Sequence, residues 1–381
     1  MPLKLGIPRE TVSGERRVSM DPIVLSKLNK LGVKVFIEQD AGLSANFDDT
    51  AFKSAVIVED LKELSEISDV IWRVQAPSIS EVSLMREGSV LIGELNAYKN
   101  IGMLKALQDK KINSFSMDLI PNIPRAFSMD VMSSQASIAG YKGALMAADF
   151  SPKVVPMMTT AAGTLRPSKT IIIGAGVAGL QAIATAKRLG GIVEAYDVRP
   201  ETKEQIESLG AKAIDLNISN KSNNSTALEL TASEKEQQQK ELANHIASAD
   251  ILICTASARA KTAPKIITQN IVNRMKKGSV IIDLAADHGG NCTLTKLGGT
   301  VNHNGVIIHG PLNVASQVPN HASQLYAKNI YNFMRLLMDE NSDYVPNFED
   351  EIVMAALLTK DGEVMHEGTL ELLHKTLGEN P

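Results

Sequence analysis

A run of four β-branched residues, Thr170-Ile171-Ile172-Ile173, feeds directly into Gly174-Ala175-Gly176-Val177-Ala178-Gly179, and Leu180 to Leu189 then reads as a helix. A strand that turns on three glycines into a helix leaves a chain few folds to choose from. Gly174 permits the tight turn, Gly176 keeps a Cβ out of the path of anything approaching it, and Gly179 lets the helix lie close on the strand. At the start of that helix the backbone N–H groups, with those of Val177 and Ala178 among them, lack partners and carry the positive end of the peptide dipoles. They favour a phosphate with no help from a basic side chain. Ile192 to Tyr196 is the next strand, and Asp197 follows its end, 18 residues past Gly179. A carboxylate there accepts hydrogen bonds from adenosine ribose hydroxyls and repels a 2′-phosphate. Glycines alone report only a tight turn; the strand before, the helix after and the acid at this distance make the segment a Rossmann-type dinucleotide site that prefers NAD(H) to NADP(H). Arg199, two positions past the acid, has two uses that the sequence leaves open: stacking on the adenine, or holding a 2′-phosphate.

The rest of the chain fits an α/β protein of two Rossmann-like domains with parallel sheets. Its 381 residues suffice for two or three cores, and 44% of them are hydrophobic. Upstream, short β-branched runs alternate with amphipathic stretches: Leu3 to Ile7, Val33 to Ile37, Asp69 to Val74 and Val90 to Ile92 as strands, with helices opening at Pro22, Leu61 and Ile101. Ser134 to Phe150, rich in alanine and glycine, reads as a close-packing helix that connects two domains. Downstream, Asp250 to Thr255 and Ser279 to Leu284 read as further strands, with a helix around Ile266 to Met275 between them. Residues just past strand ends face the ligand in such sheets, so Thr255, Ala256 and Ser257 are candidates for the nicotinamide half, and Asp287 lies on the same rim. Ser219 to Thr226 reads as a mobile surface loop, and Thr231 with Glu234 as the capping box of the next helix.

Composition excludes several classes. Thirty-nine lysines and arginines against 43 acids, interspersed, give a net charge of -4 and no basic stripe, so nucleic acid is not an expected partner. No apolar run approaches a membrane span, and the opening Met1-Pro2-Leu3-Lys4 lacks a signal peptide's apolar stretch, so a soluble, cytoplasmic protein is expected. Cys254 and Cys292 read as small buried residues, and His303, His309 and His321 lack ligand spacing, so no metal is expected.

Several segments together resemble one family. They are Gly6-Ile7-Pro8-Arg9-Glu10, Glu15-Arg16-Arg17-Val18, Arg125 to Asp130, Ser133-Ser134-Gln135, Thr160 to Thr164, the fingerprint through Asp197-Val198-Arg199, Gly278 to Ala285 and Gly289-Gly290-Asn291-Cys292. Over residues 1 to 340 the chain is similar to the NAD(H)-binding subunits of proton-translocating nicotinamide nucleotide transhydrogenases, whose relatives are alanine dehydrogenases. The resemblance implies a discontinuous domain of residues 1–130 plus 318–381, an NAD-binding domain of residues 131–317, and a cofactor in the cleft between them. It also implies a homodimer that docks a membrane-embedded partner carrying NADP(H), with peripheral membrane contact only through that partner.

The same resemblance places the chemistry. In alanine dehydrogenases a lysine and a histidine align with Gln75 and Asn96, neither of which does acid–base work near neutral pH, although Arg17 and Asp287 match that enzyme's substrate arginine and catalytic aspartate. Hydride exchange between two nicotinamides needs no such pair, which favours the transhydrogenase. In transhydrogenases a loop of arginine, glutamine and aspartate holds the nicotinamide. The matching positions are Asn122, Phe127 and Asp130, with Ser133 retained and Arg125 beside them. Asp130 and Ser133 are thus the expected catalytic residues, while Asn122, Arg125 and Phe127 are expected at the cofactor, in altered form where asparagine lacks the arginine fork and phenylalanine cannot hydrogen-bond. The family's Pro-Gly-Lys-Pro stretch is Ala258-Arg259-Ala260-Lys261-Thr262 here, and its mobile-loop tyrosine has no match around Ala227. Three alternatives stay open: an amino-acid dehydrogenase, a non-catalytic NAD-binding subunit, and a purely structural protein.

Overall fold

The computed structural model describes residues 2–216, 232–257 and 262–377. It divides into two units, residues 1–135 with 315–381 and residues 136–314, and the first division falls inside the helix Val131–Phe150.

In the second unit seven strands form one sheet. The order is Lys212–Ala213, Ile192–Tyr196, Lys169–Ile173, Ile251–Cys254, Val280–Asp283, Val306–Gly310 and Gly299–His303. The first six strands are mutually parallel and, numbered along the chain, run 3-2-1-4-5-6 with the hairpin partner set aside. That is the doubly wound order, whose switch point lies between Lys169–Ile173 and Ile251–Cys254. The isoleucine run is continuous because both faces are covered. Ile172 packs with Ala182 and Ile183 of the helix Val177–Arg188, while Ile171 and Ile173 pack with Leu242 and Ile246 of the helix Ala232–Ala247. Each such side chain contributes roughly 1.5–3 kcal/mol by leaving water. Cys254 and Cys292 are both buried here.

The first unit repeats the order. Its sheet runs Glu363–Val364, Leu357–Lys360, Asn113–Ser116, Val90–Glu94, Val70–Gln75, Lys4–Ile7, Lys34–Glu38 and Val56–Val58. Counted along the chain, the six N-terminal strands again read 3-2-1-4-5-6. Its switch point, however, is filled. Lys4–Ile7 runs into Pro8-Arg9-Glu10 rather than a glycine turn, and the Glu10 carboxylate accepts from the backbone N–H of Val74 at 2.6 Å and of Gln75 at 3.2 Å. The C-terminal tail completes this unit through the helix Pro319–Met334, whose buried Tyr326 hydroxyl donates to the Arg73 carbonyl at 2.7 Å and accepts from the Glu94 N–H at 3.1 Å.

Three expectations change. The sheets are not wholly parallel: Gly299–His303 pairs antiparallel with Val306–Gly310 across Asn304-Gly305, both at positive φ, and Leu357–Lys360 pairs antiparallel with Asn113–Ser116. The helix expected around Ile266 to Met275 shrinks to Gln269–Val272, because the Ile266 and Ile267 N–H groups both donate to the Asn291 carbonyl and so hold that end extended. The connecting helix begins three residues earlier than expected, at Val131. Its glycines do permit close approach, since a Cβ on Gly140 would lie 2.1 Å from the Ala178 carbonyl oxygen and one on Gly143 would lie 2.7 Å from Leu284. The Ser219–Thr226 loop, the Thr231 cap and residues 258–261 lie outside the described residues.

Candidate functional site

At the switch point of the second unit the three glycines meet three different surroundings. Gly174 has φ +94, and a Cβ there would press on Thr255 Oγ1 at 2.7 Å and the Ala256 N at 2.9 Å. A Cβ on Gly179 would sit 1.9 Å from the Gly174 carbonyl oxygen, so the helix lies directly on the turn. A Cβ on Gly176 would meet nothing within 4 Å, and its backbone is extended at φ -75 and ψ -169. Two glycines are therefore required by the fold, and the third keeps open space at the turn. The first backbone bond of the helix is Leu180 N–H to the Gly176 carbonyl, at 2.8 Å. The amides of Val177, Ala178 and Gly179 precede it, and these are the groups a helix leaves for an anion.

The neighbouring strand ends close the cradle. Thr255 Oγ1 donates to the Gly174 carbonyl at 2.9 Å, and the Ala256 N–H donates to Asn291 Oδ1 at 3.0 Å. Asn291 also donates to the Ala256 carbonyl at 2.7 Å and to that of Pro264 at 2.9 Å. This buried amide, which sequence reasoning does not single out as a site residue, fixes the segment that carries Thr255 and Ala256; the polar residue after Gly289-Gly290 is its only local signal. Ser257 and Asp287 are exposed.

Asp197 follows the strand Ile192–Tyr196 as expected, yet its four acceptor positions are taken. Oδ1 accepts from the Arg199 N–H at 2.9 Å and Nε at 3.0 Å; Oδ2 accepts from the Ala175 N–H at 2.7 Å and Arg199 Nη2 at 3.0 Å. Burial pushes this carboxyl up, but the bonds from Arg199 and Ala175 outweigh it and hold Asp197 below the usual carboxylate range. A ribose hydroxyl reaches Asp197 only by displacing the Arg199 side chain. Beyond the carboxylate opens a pocket of about 380 Å³, lined by Tyr196, Asp197, Val198, Arg199, Lys203 and Asp215 among others; Val198 itself is largely exposed.

The residues expected at the reacting end belong to the first unit. Asp130 and Ser133 are brought together at the start of the helix Val131–Phe150, where Asp130 accepts from the Ser133 N–H at 3.0 Å and Oγ at 2.7 Å. That is the geometry of a helix cap. The Arg125 fork is on Asp350, with Nη1 and Nη2 donating at 2.6 and 2.9 Å, and the same carboxylate caps the helix Glu351–Ala356. Asn122 and Phe127 are exposed. Arg17 is buried and its fork is held by Glu15 at 2.7 and 2.9 Å, with Nη1 donating to Gln135 at 2.9 Å and Gln75 donating to Glu15 at 2.8 Å. Among the described residues no group of three or more His, Cys, Asp or Glu is placed to hold a metal, and no helix is long and apolar enough to cross a membrane.

Comparison with known proteins agrees with this geometry. Residues 6–139 match the family model for the alanine dehydrogenase/PNT N-terminal domain, and residues 143–367 match that for the C-terminal domain. The chain is 42% identical over 376 residues to a protein of Rhodospirillum rubrum named as a part of NAD(P) transhydrogenase subunit alpha, covering 96% of this chain and 98% of that protein. A solved transhydrogenase structure from Sinorhizobium meliloti superposes with a TM-score of 0.84 at 38% identity, over 96% of this chain and 99% of that one. Alanine dehydrogenase 2 of Staphylococcus aureus is more distant, at 28% identity over 97% of this chain and 96% of its own. With two family models spanning nearly the whole chain, both doubly wound units in place and the glycine cradle intact, the chain belongs to the alanine dehydrogenase/PNT family.

Proposed function

We propose that this chain is the NAD(H)-binding subunit of a proton-translocating transhydrogenase, exchanging hydride between NAD(H) held here and NADP(H) held on a partner subunit. The observation that carries this reading is the contrast among the glycines: Gly174 and Gly179 are packed against backbone, while Gly176 faces open space beneath a helix N-terminus. A pyrophosphate fits such a cradle, and Asp197 stands where an adenosine ribose is read. NADH, when bound, supplies the hydride. The residues of this chain hold it: the amides of Val177, Ala178 and Gly179 bind phosphate, and Asp197 accepts from the ribose once Arg199 moves aside. Asp130 and Ser133, locked together by their mutual hydrogen bonds, give the reacting end a fixed support.

The relatives named as alpha subunits of NAD(P) transhydrogenases support an assembly with further subunits; on this reading a partner among them is membrane-embedded and holds NADP(H), and this chain would be peripheral to it. A homodimer is supported by the hairpin Met158–Thr160 with Gly163–Leu165, which exposes Met157, Met158 and Leu165. The amino-acid dehydrogenase reading fares worse. Its carboxylate-gripping arginine would be Arg17, whose fork is already taken by Glu15, and Gln75 supplies an amide where that chemistry needs a base.

Two measurements on the purified chain test this reading. Titration by ligand fluorescence is expected to show NADH binding at least tenfold tighter than NADPH, about 1.4 kcal/mol, and L-alanine with NAD is expected to yield no NADH. Equal affinity for the two cofactors would remove Asp197 from control of the pocket, and a measurable rate with L-alanine would replace the transhydrogenase reading by the dehydrogenase one.

A further inference from the structure

The pocket beyond Asp197 contains two cations as well as two acids. Arg199 is paired with Asp197, and Lys203 donates to Asp215 Oδ2 at 3.0 Å. Lys203 stands on the helix Thr202–Ser208, and Asp215 lies two residues past the edge strand Lys212–Ala213, which pairs in parallel with Ile192–Tyr196. All four side chains line one pocket, and their charges cancel.

That cancellation has a consequence for cofactor choice. A ribose diol that takes the acceptor positions of Asp197 must first displace Arg199, and a displaced arginine beside the ribose is the group that ordinarily welcomes a 2′-phosphate. Lys203, four residues further along, would be a second such cation if it stood alone. It does not, because Asp215 holds it. We propose, resting on the reading of this pocket as the adenosine end of an NAD(H) site, that Asp215 is a second specificity residue. By neutralising Lys203 it denies a 2′-phosphate the cation that Arg199, once displaced, would otherwise share the phosphate with. Asp197 then discriminates by direct repulsion, and Asp215 by occupying a competitor's partner.

Both Lys203 and Asp215 are more than half exposed, so solvent screens the pair and the effect of removing it is a moderate one. In this chain, Asp215→Asn is expected to raise NADPH affinity relative to NADH by about two- to fivefold at low salt, the size expected of one screened charge pair. The gain should shrink as ionic strength rises and the Debye length falls. It should vanish in the double variant Asp215→Asn with Lys203→Met, which a merely structural role for Asp215 would not produce. NADH and NADPH fluorescence titrations of the three proteins read the ratio directly. An unchanged NADPH-to-NADH ratio in Asp215→Asn, with NADH still bound, overturns the role of Asp215 and leaves the NAD(H) site standing. Failure of the unsubstituted chain to bind either cofactor overturns the reading of the site and this inference with it.

Discussion

Gly176→Val is expected to leave the protein folded, with a melting temperature within about 2 °C of the parent, while NADH affinity falls by about a hundredfold or more, roughly 2.7 kcal/mol. The fold should tolerate the change because Gly176 is extended, a conformation open to any residue, and because its Cβ direction meets nothing within 4 Å. On the proposed reading that open space is where the pyrophosphate would pass, so a branched side chain there would block ligand and not backbone. Gly179→Ala is expected to do the reverse first. Its added methyl would lie 1.9 Å from the Gly174 carbonyl oxygen and 3.0 Å from Thr255 Oγ1, and a backbone oxygen cannot swing aside. Overpacking of this kind costs about 1–3 kcal/mol, enough to lower the melting temperature by several degrees. Thermal melts beside NADH titrations separate the two glycines. An unchanged NADH affinity in folded Gly176→Val would mean that the dinucleotide does not cross this turn.

Restoring the family's arginine and glutamine with Asn122→Arg and Phe127→Gln is expected to change the hydride-transfer rate by on the order of a hundredfold, while NADH affinity changes by less than about threefold. The loop that carries both positions is tied down from beneath. The Ser128 carbonyl accepts from Asn329 at 2.8 Å and Asn332 at 3.0 Å, and Arg125 is clamped to Asp350. Asn122 and Phe127 themselves project to solvent, with Phe127 58% exposed, so both replacements should fold without cost. On the proposed reading, binding would be dominated by adenosine and pyrophosphate contacts to the second unit. Hydride transfer asks more, since a displacement of about 1 Å at the reacting carbon costs about a hundredfold in rate. Stopped-flow transfer in the assembled complex, beside a titration of the isolated chain, distinguishes the outcomes. Tighter NADH binding with an unaltered rate would make the loop a binding element.

The parts of the fold that are legible in the sequence are those written locally. Glycine punctuation and β-branched runs locate Lys169–Ile173, Ile192–Tyr196 and the helix between them, because each signal spans only a few residues. The strand Leu357–Lys360 is not legible. It joins Asn113–Ser116 across more than 240 residues, and a four-residue run carries no mark of a partner that distant. The Asn304-Gly305 hairpin does carry its mark, an Asn-Gly pair between alternating residues, although no expectation above rests on it. At the site the same division holds. The three glycine positions follow from the motif, whereas the capture of Asp197 by Arg199 and of Lys203 by Asp215 depends on side-chain placement that the folded strands set. Asp130 and Ser133 stand out by resemblance; that they cap a helix is visible only once the helix is seen to start at Val131.

Hydride transfer in a reconstituted complex shows whether this chain presents NAD(H) to a second nicotinamide. The purified chain is mixed with an NADP(H)-binding transhydrogenase partner, supplied with NADPH and an NAD analogue whose reduced form absorbs at longer wavelength, and followed by stopped flow. Reduction of the analogue is predicted only when both proteins are present, and it should be lost with Gly176→Val. NADH binding by the chain without any transfer in the complete mixture would contradict the account and leave a non-catalytic NAD-binding subunit in its place.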